Sequence, residues 1–414
     1  MPLSKTGSQS LKHLPFFEVL ATAPEDSLDA RLATAGLLSL RMLDHWVLAG
    51  PAIVEPESVS VRSVRRAIMA LPANEPVREA LLTTVNTMQM LRHVDLMPVV
   101  PRVFAYAQLL ERHYGSMALA ADAYESVIRL GDIEFDAELV MDSYHRLAYC
   151  QRKIGALDSA VHSSTALTRL AGRKKDRARA LRGKMGVGQV AMMRGELAEA
   201  ETQFSAIEAE AEKLELTPEY AMALHNRAVV AWRSKNPLHA SVLAHRSLKW
   251  TRDPIERDRV LGDLGAFLVD SAQYEAALDA FRVLELTATS EEPRLAARIN
   301  TLVVAARTAN RNLFDTMRES LTDAPMPVEA RVALLVETAA GLRSFGDNSG
   351  AELSIAEAVA ITTRHGLAAD LAVEPAPRAA HFPASENARG IPDNQDPAID
   401  VASELRAMAA ALAA

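Results

Sequence analysis

The densest concentration of chemistry in this sequence is a run of cations, Arg173-Lys174-Lys175-Asp176-Arg177, continued by Arg179 and Arg182. Guanidinium and ammonium groups recognise carboxylates and phosphates. A run of this kind is also what a solvated loop and helix start produce, so it reads either as a solvated face or as a contact for an acidic partner. Nucleic-acid recognition would add interleaved aromatics and an overall basic chain. This chain instead carries a formal charge of −8 with aromatics at 5%. A second stripe, Arg62, Arg65 and Arg66, takes the same reading.

Other chemical constellations are weak. The eleven histidines are scattered, without a His-x3-His or His-Glu-x2-His grouping, so no metal is expected. His225, His239 and His245 are too irregularly spaced to share a helix face. Gly183-x2-Gly186-x-Gly188 has the outline of a phosphate loop but lacks a preceding strand and a Lys-Ser/Thr ending, and it reads as close helix packing. The single cysteine, Cys150, excludes a disulfide framework, suits a cytoplasmic location and is expected to be a small core residue. These features predict a chain that is not an enzyme, with no catalytic residues and no cofactor.

The elements that position these residues follow an even ruler. Gly115, Gly155 and Gly195 stand 40 residues apart, each followed by an Ala-rich amphipathic stretch, and a period of this size marks a helical-hairpin array. One unit reads Tyr144-x2-Leu147-Ala148, then Gly155-x-Leu157-x2-Ala160. Another reads Val187-Gly188, then Gly195-x-Leu197-x2-Ala200-x3-Phe204, and a third Leu264-Gly265, then Tyr274-x2-Ala277-x3-Phe281. Small residues at the crossing points let two helices approach to ~8 Å, and the large residue one turn later is expected to fill the gap against the next hairpin. Weaker units fit around Ala120 and Tyr124, around Val229, Ser241 and His245, and around Ala339, Ala351 and Ile355. The stretch from Arg294 to Ala324 matches least.

Residues 101–371 therefore form the expected repeat array. Residues 25–100 are expected as a helical cap or degenerate repeats, with helices starting near Glu25-Asp26-Ser27, over Ser58 to Leu71 and over Glu75 to Arg92. Residues 1–24 read as a flexible arm: Lys5 and Lys12 ahead of Leu14-Pro15-Phe16-Phe17 sketch an export signal, but Pro15 and Glu18 interrupt its apolar run. Residues 372–399, with five prolines among Ala, Asn, Asp and Glu, read as a disordered linker. Residues 400–414 form a short amphipathic helix whose stripe, Val401, Leu405, Met408 and Leu412, needs a surface to dock on, in this chain or in a second copy. No stretch reaches the ~18 apolar residues of a membrane span.

The quoted Leu-Gly and Ala-x3-Phe elements resemble those of tetratricopeptide repeat proteins over residues 101 to 367. The spacing, about 36–41 residues, exceeds the ~34 of the usual unit. The resemblance implies an all-α, right-handed α-solenoid of antiparallel helix hairpins, whose first helices line a concave groove. Projection onto that pattern turns Arg112, His145, Tyr149, Arg152, Gln189, Met192, Asn226, Arg233 and Asp270 inward. It implies a scaffold or adaptor that binds a protein or peptide, in which Asn226 and Gln189 pair with an extended backbone and Arg112, Arg152 and Arg233 meet acidic groups. Two alternatives stay open: a peptide- or ligand-sensing regulator whose solenoid changes shape or oligomeric state, and a subunit of a larger enzyme or defence complex. Homo-oligomerisation is open as well, and nucleic acid is not expected as a partner.

Overall fold

The computed structural model describes residues 12–55, 58–131, 136–365 and 397–413, and among them the chain is all α-helix with no strand. It divides into two compact units, Met1–Arg194 and Gly195–Ala414.

The first unit opens with α1 (Leu14–Thr22), α2 (Leu28–Ala49), α3 (Val59–Met69) and α4 (Pro76–Met90). Ser27 and Ser58 cap α2 and α3, each hydroxyl accepting from the backbone N–H three residues on at 3.2 Å, as a serine ahead of an apolar-periodic stretch should. The α2 helix buries Leu32, Leu40, Leu43 and Trp46 and packs on α1, α3 and α4. Stacked hairpins follow: α5 (Val100–Arg112) with α6 (Met117–Leu130), α7 (Ala137–Lys153) with α8 (Leu157–Lys174), and α9 (Arg177–Met193) against α8.

The arm expected over residues 1–24 is corrected by the structure from Lys12 onward. Residues 14–22 are helical, and Phe16 is fully buried beside Gly36, where a Cβ would lie 2.5 Å from its ring. His13, at the N-terminus of α1, adopts a left-handed backbone, φ 63°. That conformation costs a non-glycine residue roughly 1–2 kcal/mol, and a buried charge cluster offsets it. The imidazole Nδ1 lies 2.6 Å from Asp122 of α6 and Nε2 3.5 Å from Asp44 of α2. Asp44 also accepts from Lys12 at 2.9 Å and from Arg129 at 2.7 Å. Burial opposes the charge on His13, but the hydrogen bond to Asp122 and the nearby Asp44 carboxylate outweigh it and raise its pKa above 6.5. Burial likewise opposes the charge on Asp44, and His13, Lys12 and Arg129 together hold that carboxyl well below the ordinary range. The remaining group facing the cluster, Glu125, is raised by burial and by Asp122.

The second unit contains α10 (Leu197–Lys213), α11 (Thr217–Arg233), α12 (Pro237–Trp250), α13 (Pro254–Asp270), α14 (Tyr274–Thr287), α15 (Glu291–Arg307), α16 (Arg311–Thr322), α17 (Val328–Ser344) and α18 (Asn348–His365). Each helix packs on its successor through α15, then α15 meets both α16 and α17, and α17 pairs with α18. The segment expected as a Pro-rich linker lies outside the described residues as far as 396. The terminal helix α19 (Pro397–Ala413) begins at Pro397 and packs on α12 and α14 of the same chain. It buries Val401, Leu405 and Ala409, with Met408 half-buried, while Leu412 is 45% exposed. The expected stripe thus holds at its first two positions and rotates to Ala409 at the end.

The ruler read from three glycines is longer than the glycines show. Left-handed residues with φ from 54° to 82° close turns at Gly115, Gly155, Gly195, Lys235, Ala272, Ala309 and Gly346, so the interval is 40 residues as far as 235 and 37 from 235 to 346. The same cap forms whatever the residue. The amide after the left-handed position reaches back five residues at Ala156, Asn236, Gln273, Asn310 and Asp347, at 2.8–2.9 Å, the longer bond of a Schellman cap.

Helix contacts explain where glycine is needed inside the helices. A Cβ on Gly265 of α13 would lie 2.3 Å from the Phe281 ring of α14, in the same hairpin, rather than leaving that ring to the next one. Phe314 of α16 does reach forward, onto Gly341 of α17, where a Cβ would lie 2.2 Å away. Gly183 and Gly186 of α9 seat against Thr168 and Ser164 of α8, with Cβ approaches of 2.3 and 2.4 Å. Close packing is therefore what Gly183 and Gly186 serve.

Two outcomes follow. Replacing Gly265 by Ala should cost about 1–3 kcal/mol through overpacking, visible as a lowered melting midpoint that Phe281→Leu partly restores. Ala272→Gly should raise stability by about 0.5–1 kcal/mol, because relief of the left-handed strain exceeds the extra unfolded-state freedom of glycine. The anchor of α1 should depend on pH in two directions. The share from His13 is complete below 6.5 and fades as pH rises through its raised folded value, whereas the share from Asp44 is complete above 3.8 and fades in strong acid. Hydrogen exchange of the 14–22 amides, corrected for intrinsic rate, should accelerate as pH rises from 6 to 9, and His13→Gln should flatten that dependence.

Candidate functional site

Successive first helices of the hairpins are joined by polar contacts at nearly constant sequence offsets. In the first unit Glu111 of α5 accepts from Arg146 of α7 at 3.1 Å, 35 residues on, and also from the Tyr124 hydroxyl at 2.6 Å. Asp142 of α7 accepts from Arg179 of α9 at 2.8 Å, an offset of 37. Within the second unit His225 of α11 meets Asp263 of α13 at 2.8 Å, and the Trp232 indole N–H donates to Asp270 at 2.8 Å, both at an offset of 38. Asp270 continues to Arg307 of α15 at 3.9 Å.

The offset of 37 defines a face between α7 and α9. His145, Tyr149 and Arg152 lie on one side of α7 at i, i+4 and i+7, and Arg182, Gly186 and Gln189 repeat that spacing on α9. The Arg152 guanidinium sits 5.9 Å from the centre of the Tyr149 ring, and its Nη1 lies 3.6 Å from where a Gly186 Cβ would be. The Lys153 ammonium also lies over Tyr149, at 5.7 Å. Burial pushes the His145 imidazole down to about 4, and the positive charges of Arg146, Arg182 and Arg152 add to the effect. The ring is therefore neutral at physiological pH, one nitrogen donating and the other accepting. The charges of Arg146, Arg152 and Arg182 bear on it, Arg146 being itself paired with Glu111, and Tyr149 supplies an aromatic surface.

The structure sorts the remaining expected residues. Arg112 is exposed at the C-terminal end of α5, and Met192 is half-buried one turn beyond Gln189. Asn226, Arg233 and Asp270 belong to the second unit. Asn226 is buried and its side-chain amide donates to the Met222 carbonyl of its own helix at 2.7 Å. Asp270 is held by Trp232 and Arg307, and Arg233 is exposed at the end of α11.

The basic run divides among several places. Arg173, Lys174 and Lys175 are exposed at the α8–α9 turn, Lys175 being its left-handed residue, and Arg177 is exposed at the start of α9. Arg179 is paired with Asp142 and Asp176, each at 2.8 Å, and with Glu138 at 3.7 Å. Arg182 belongs with the His145 face, an assignment that a helical projection at the repeat offset would have found. Arg173 also lines an open cleft of about 490 Å³ with Tyr144, Asp158, His162 and Arg169.

His225, His239 and His245 do not converge: His225 meets Asp263, while His239 and His245 lie on α12, with Glu404 3.0 Å from His245. Burial pushes the Cys150 thiol up to about 12, so it is packed and unreactive. Among the described residues no group of three His, Cys, Asp or Glu is placed to hold a metal ion, and no helix is long and apolar enough to cross a membrane.

No family model and no curated protein matches the chain. Among solved structures it is similar to a Rap protein complexed with competence and sporulation factor, at 12% identity and a TM-score of 0.49 over 83% of this chain and 99% of that one. It is also similar to the Rap conjugation gene regulator of the plasmid pLS20 in complex with the Phr* peptide, at 13% identity and a TM-score of 0.49 over 80% of this chain and 98% of that one. The apo form of RapI matches at 14% identity and a TM-score of 0.47, over 64% of this chain and 98% of that one. At these scores the likeness assigns the chain no ligand and no activity.

Proposed function

We propose that this chain is a non-enzymatic binding protein whose α7–α9 face captures an acidic peptide segment. The observation that supports this reading is the i, i+4, i+7 alignment of His145, Tyr149 and Arg152 on α7, repeated 37 residues on by Arg182, Gly186 and Gln189 on α9, with the Arg152 guanidinium 5.9 Å from the Tyr149 ring and the Asp142–Arg179 pair bridging the two helices. Arg152 and Arg182 meet carboxylates, His145 and Gln189 donate to and accept from peptide backbone, and Tyr149 covers an aliphatic or planar group. Charge-assisted hydrogen bonds contribute about 1.5–3 kcal/mol each, so two of them account for a large share of a micromolar affinity. The exposed cations at 173–177 and Arg112 add long-range attraction.

The test compares two pools of fluorescein-labelled hexapeptides, one rich in Asp and Glu, the other rich in Lys and Arg. The acidic pool should be retained and the basic pool should not. Arg152→Gln and Arg182→Gln should each weaken retention about tenfold or more without lowering the melting midpoint, and raising salt from 50 to 500 mM should weaken it further. Equal retention of both pools, or unchanged retention by folded variants, would overturn the reading. Acidic peptide should also raise the His145 pKa from about 4, because a nearby carboxylate favours the imidazolium. NMR titration of its ring protons measures that shift.

A further inference from the structure

The groove between α12 and α14 already holds a ligand of defined chemistry, the helix α19. Val401 and Leu405 are almost wholly buried there with Ala409, at positions i, i+4 and i+8 of one helical face. The two flanks carry opposite charge. On the α12 side Lys249 donates to Glu404 at 2.8 Å, and His245 Nε2 lies 3.0 Å from the same carboxylate. On the α14 side Arg406 donates to Glu275 at 3.1 Å and lies 3.8 Å from Asp279. A helix with a carboxylate at i+3 and a cation at i+5 fits in one orientation, because reversal would set like charges against each other.

The hold on α19 differs from the hold on the helices around it. The α13 helix buries Val260, Leu261, Leu264, Phe267, Leu268 and Val269, whereas α19, among its described side chains, buries Val401, Leu405 and Ala409, with Ala402 and Met408 packed partly against the same core. Its ion pairs are open to water: Glu404 is 40% exposed and Arg406 65%, and such pairs orient more than they hold. A helix seated in this way opens locally without unfolding the elements beneath it.

We propose that the α12–α14 groove is a receptor site for an amphipathic helix supplied by another protein, with α19 as its resident, displaceable occupant. The partner helix carries aliphatic residues at i and i+4, a small residue at i+8, a carboxylate at i+3 and a cation at i+5. The second helices of the hairpins thus present a docking surface separate from the α7–α9 face, and the proposal does not depend on the peptide reading of that face.

The probe is a fluorescein-labelled peptide of residues 397–413, added in trans to the full-length chain. Leu405→Asp in the full chain should undock α19 and bind the probe at least tenfold more tightly than the wild-type chain, whose own helix competes at high effective concentration. A probe carrying Glu404→Lys should bind at least tenfold more weakly, and adding Lys249→Glu to the Leu405→Asp chain should recover part of that loss. A folded Leu405→Asp chain that takes up no probe, or takes it up no better than wild type, would overturn the proposal. Hydrogen exchange of the wild-type chain supplies a test that needs no variant. The α19 amides should exchange at least a hundredfold faster than those of α12 and α14, and equal protection would show α19 to be an inseparable part of the core.

Discussion

Close approach between neighbouring helices is the constraint on which the rest of this structure depends. With aromatics at 5% of the chain, the core cannot be filled by large rings, so helices must come near enough for Ala and Leu to interdigitate. Three of the buried rings sit against a residue without a side chain: Phe16 meets Gly36, Phe281 meets Gly265, and Phe314 meets Gly341. A ring seated on a glycine fixes both the separation and the axial register of two helices. Once register is fixed in one hairpin, residues one repeat apart face each other in the next.

The polar contacts between first helices are a consequence of that register. Asp142 and Arg179, or Trp232 and Asp270, need no long side chain to search for a partner, because an offset of 37 or 38 places the groups opposite each other. The same geometry couples packing to the candidate site. Gly186 admits Ser164 of α8 on one side and leaves room for the Arg152 guanidinium on the other. A side chain at 186 would therefore disturb the helix contact and the cation together. Packing and recognition share a backbone position.

Much of the fold was legible in the sequence, and the reasons are local. Ser27 and Ser58 announced their helices because capping chemistry acts within a few residues. The repeat was readable where glycine occupies the left-handed turn and faint where Lys235 or Ala309 does, while at Ala272 the flanking Leu264-Gly265 and Tyr274-x2-Ala277-x3-Phe281 elements carried it. The cap hydrogen bonds supplied by the backbone form with any residue that can tolerate the strain. The stretch from Arg294 to Ala324 was obscure for that reason, and because its ring, Phe314, seats on a glycine of the following helix. The docking of α1 was missed because His13 finds Asp44 and Asp122 far along the chain. The candidate site was legible on α7, where periodicity aligns His145, Tyr149 and Arg152. It was misread on α9, where sequence adjacency grouped Arg182 with a surface run instead of with the residue 37 positions before it. Asn226 looked available because a side-chain amide in a helix does not advertise that it donates to the carbonyl of Met222, one turn back.

The two candidate surfaces divide affinity and orientation in opposite ways. On the α7–α9 face the charged groups sit half-buried against a ring and a glycine backbone, so charge would supply most of the attraction there. In the α12–α14 groove the charged groups stand at the rim, and Val401 and Leu405 in the interior contribute the attraction, about 1.5–3 kcal/mol for each fully buried side chain. Raising the salt concentration therefore weakens the first kind of contact while leaving the apolar part of the second in place. The loss in the groove falls on the discrimination between one helix direction and the other, because only the rim charges distinguish them.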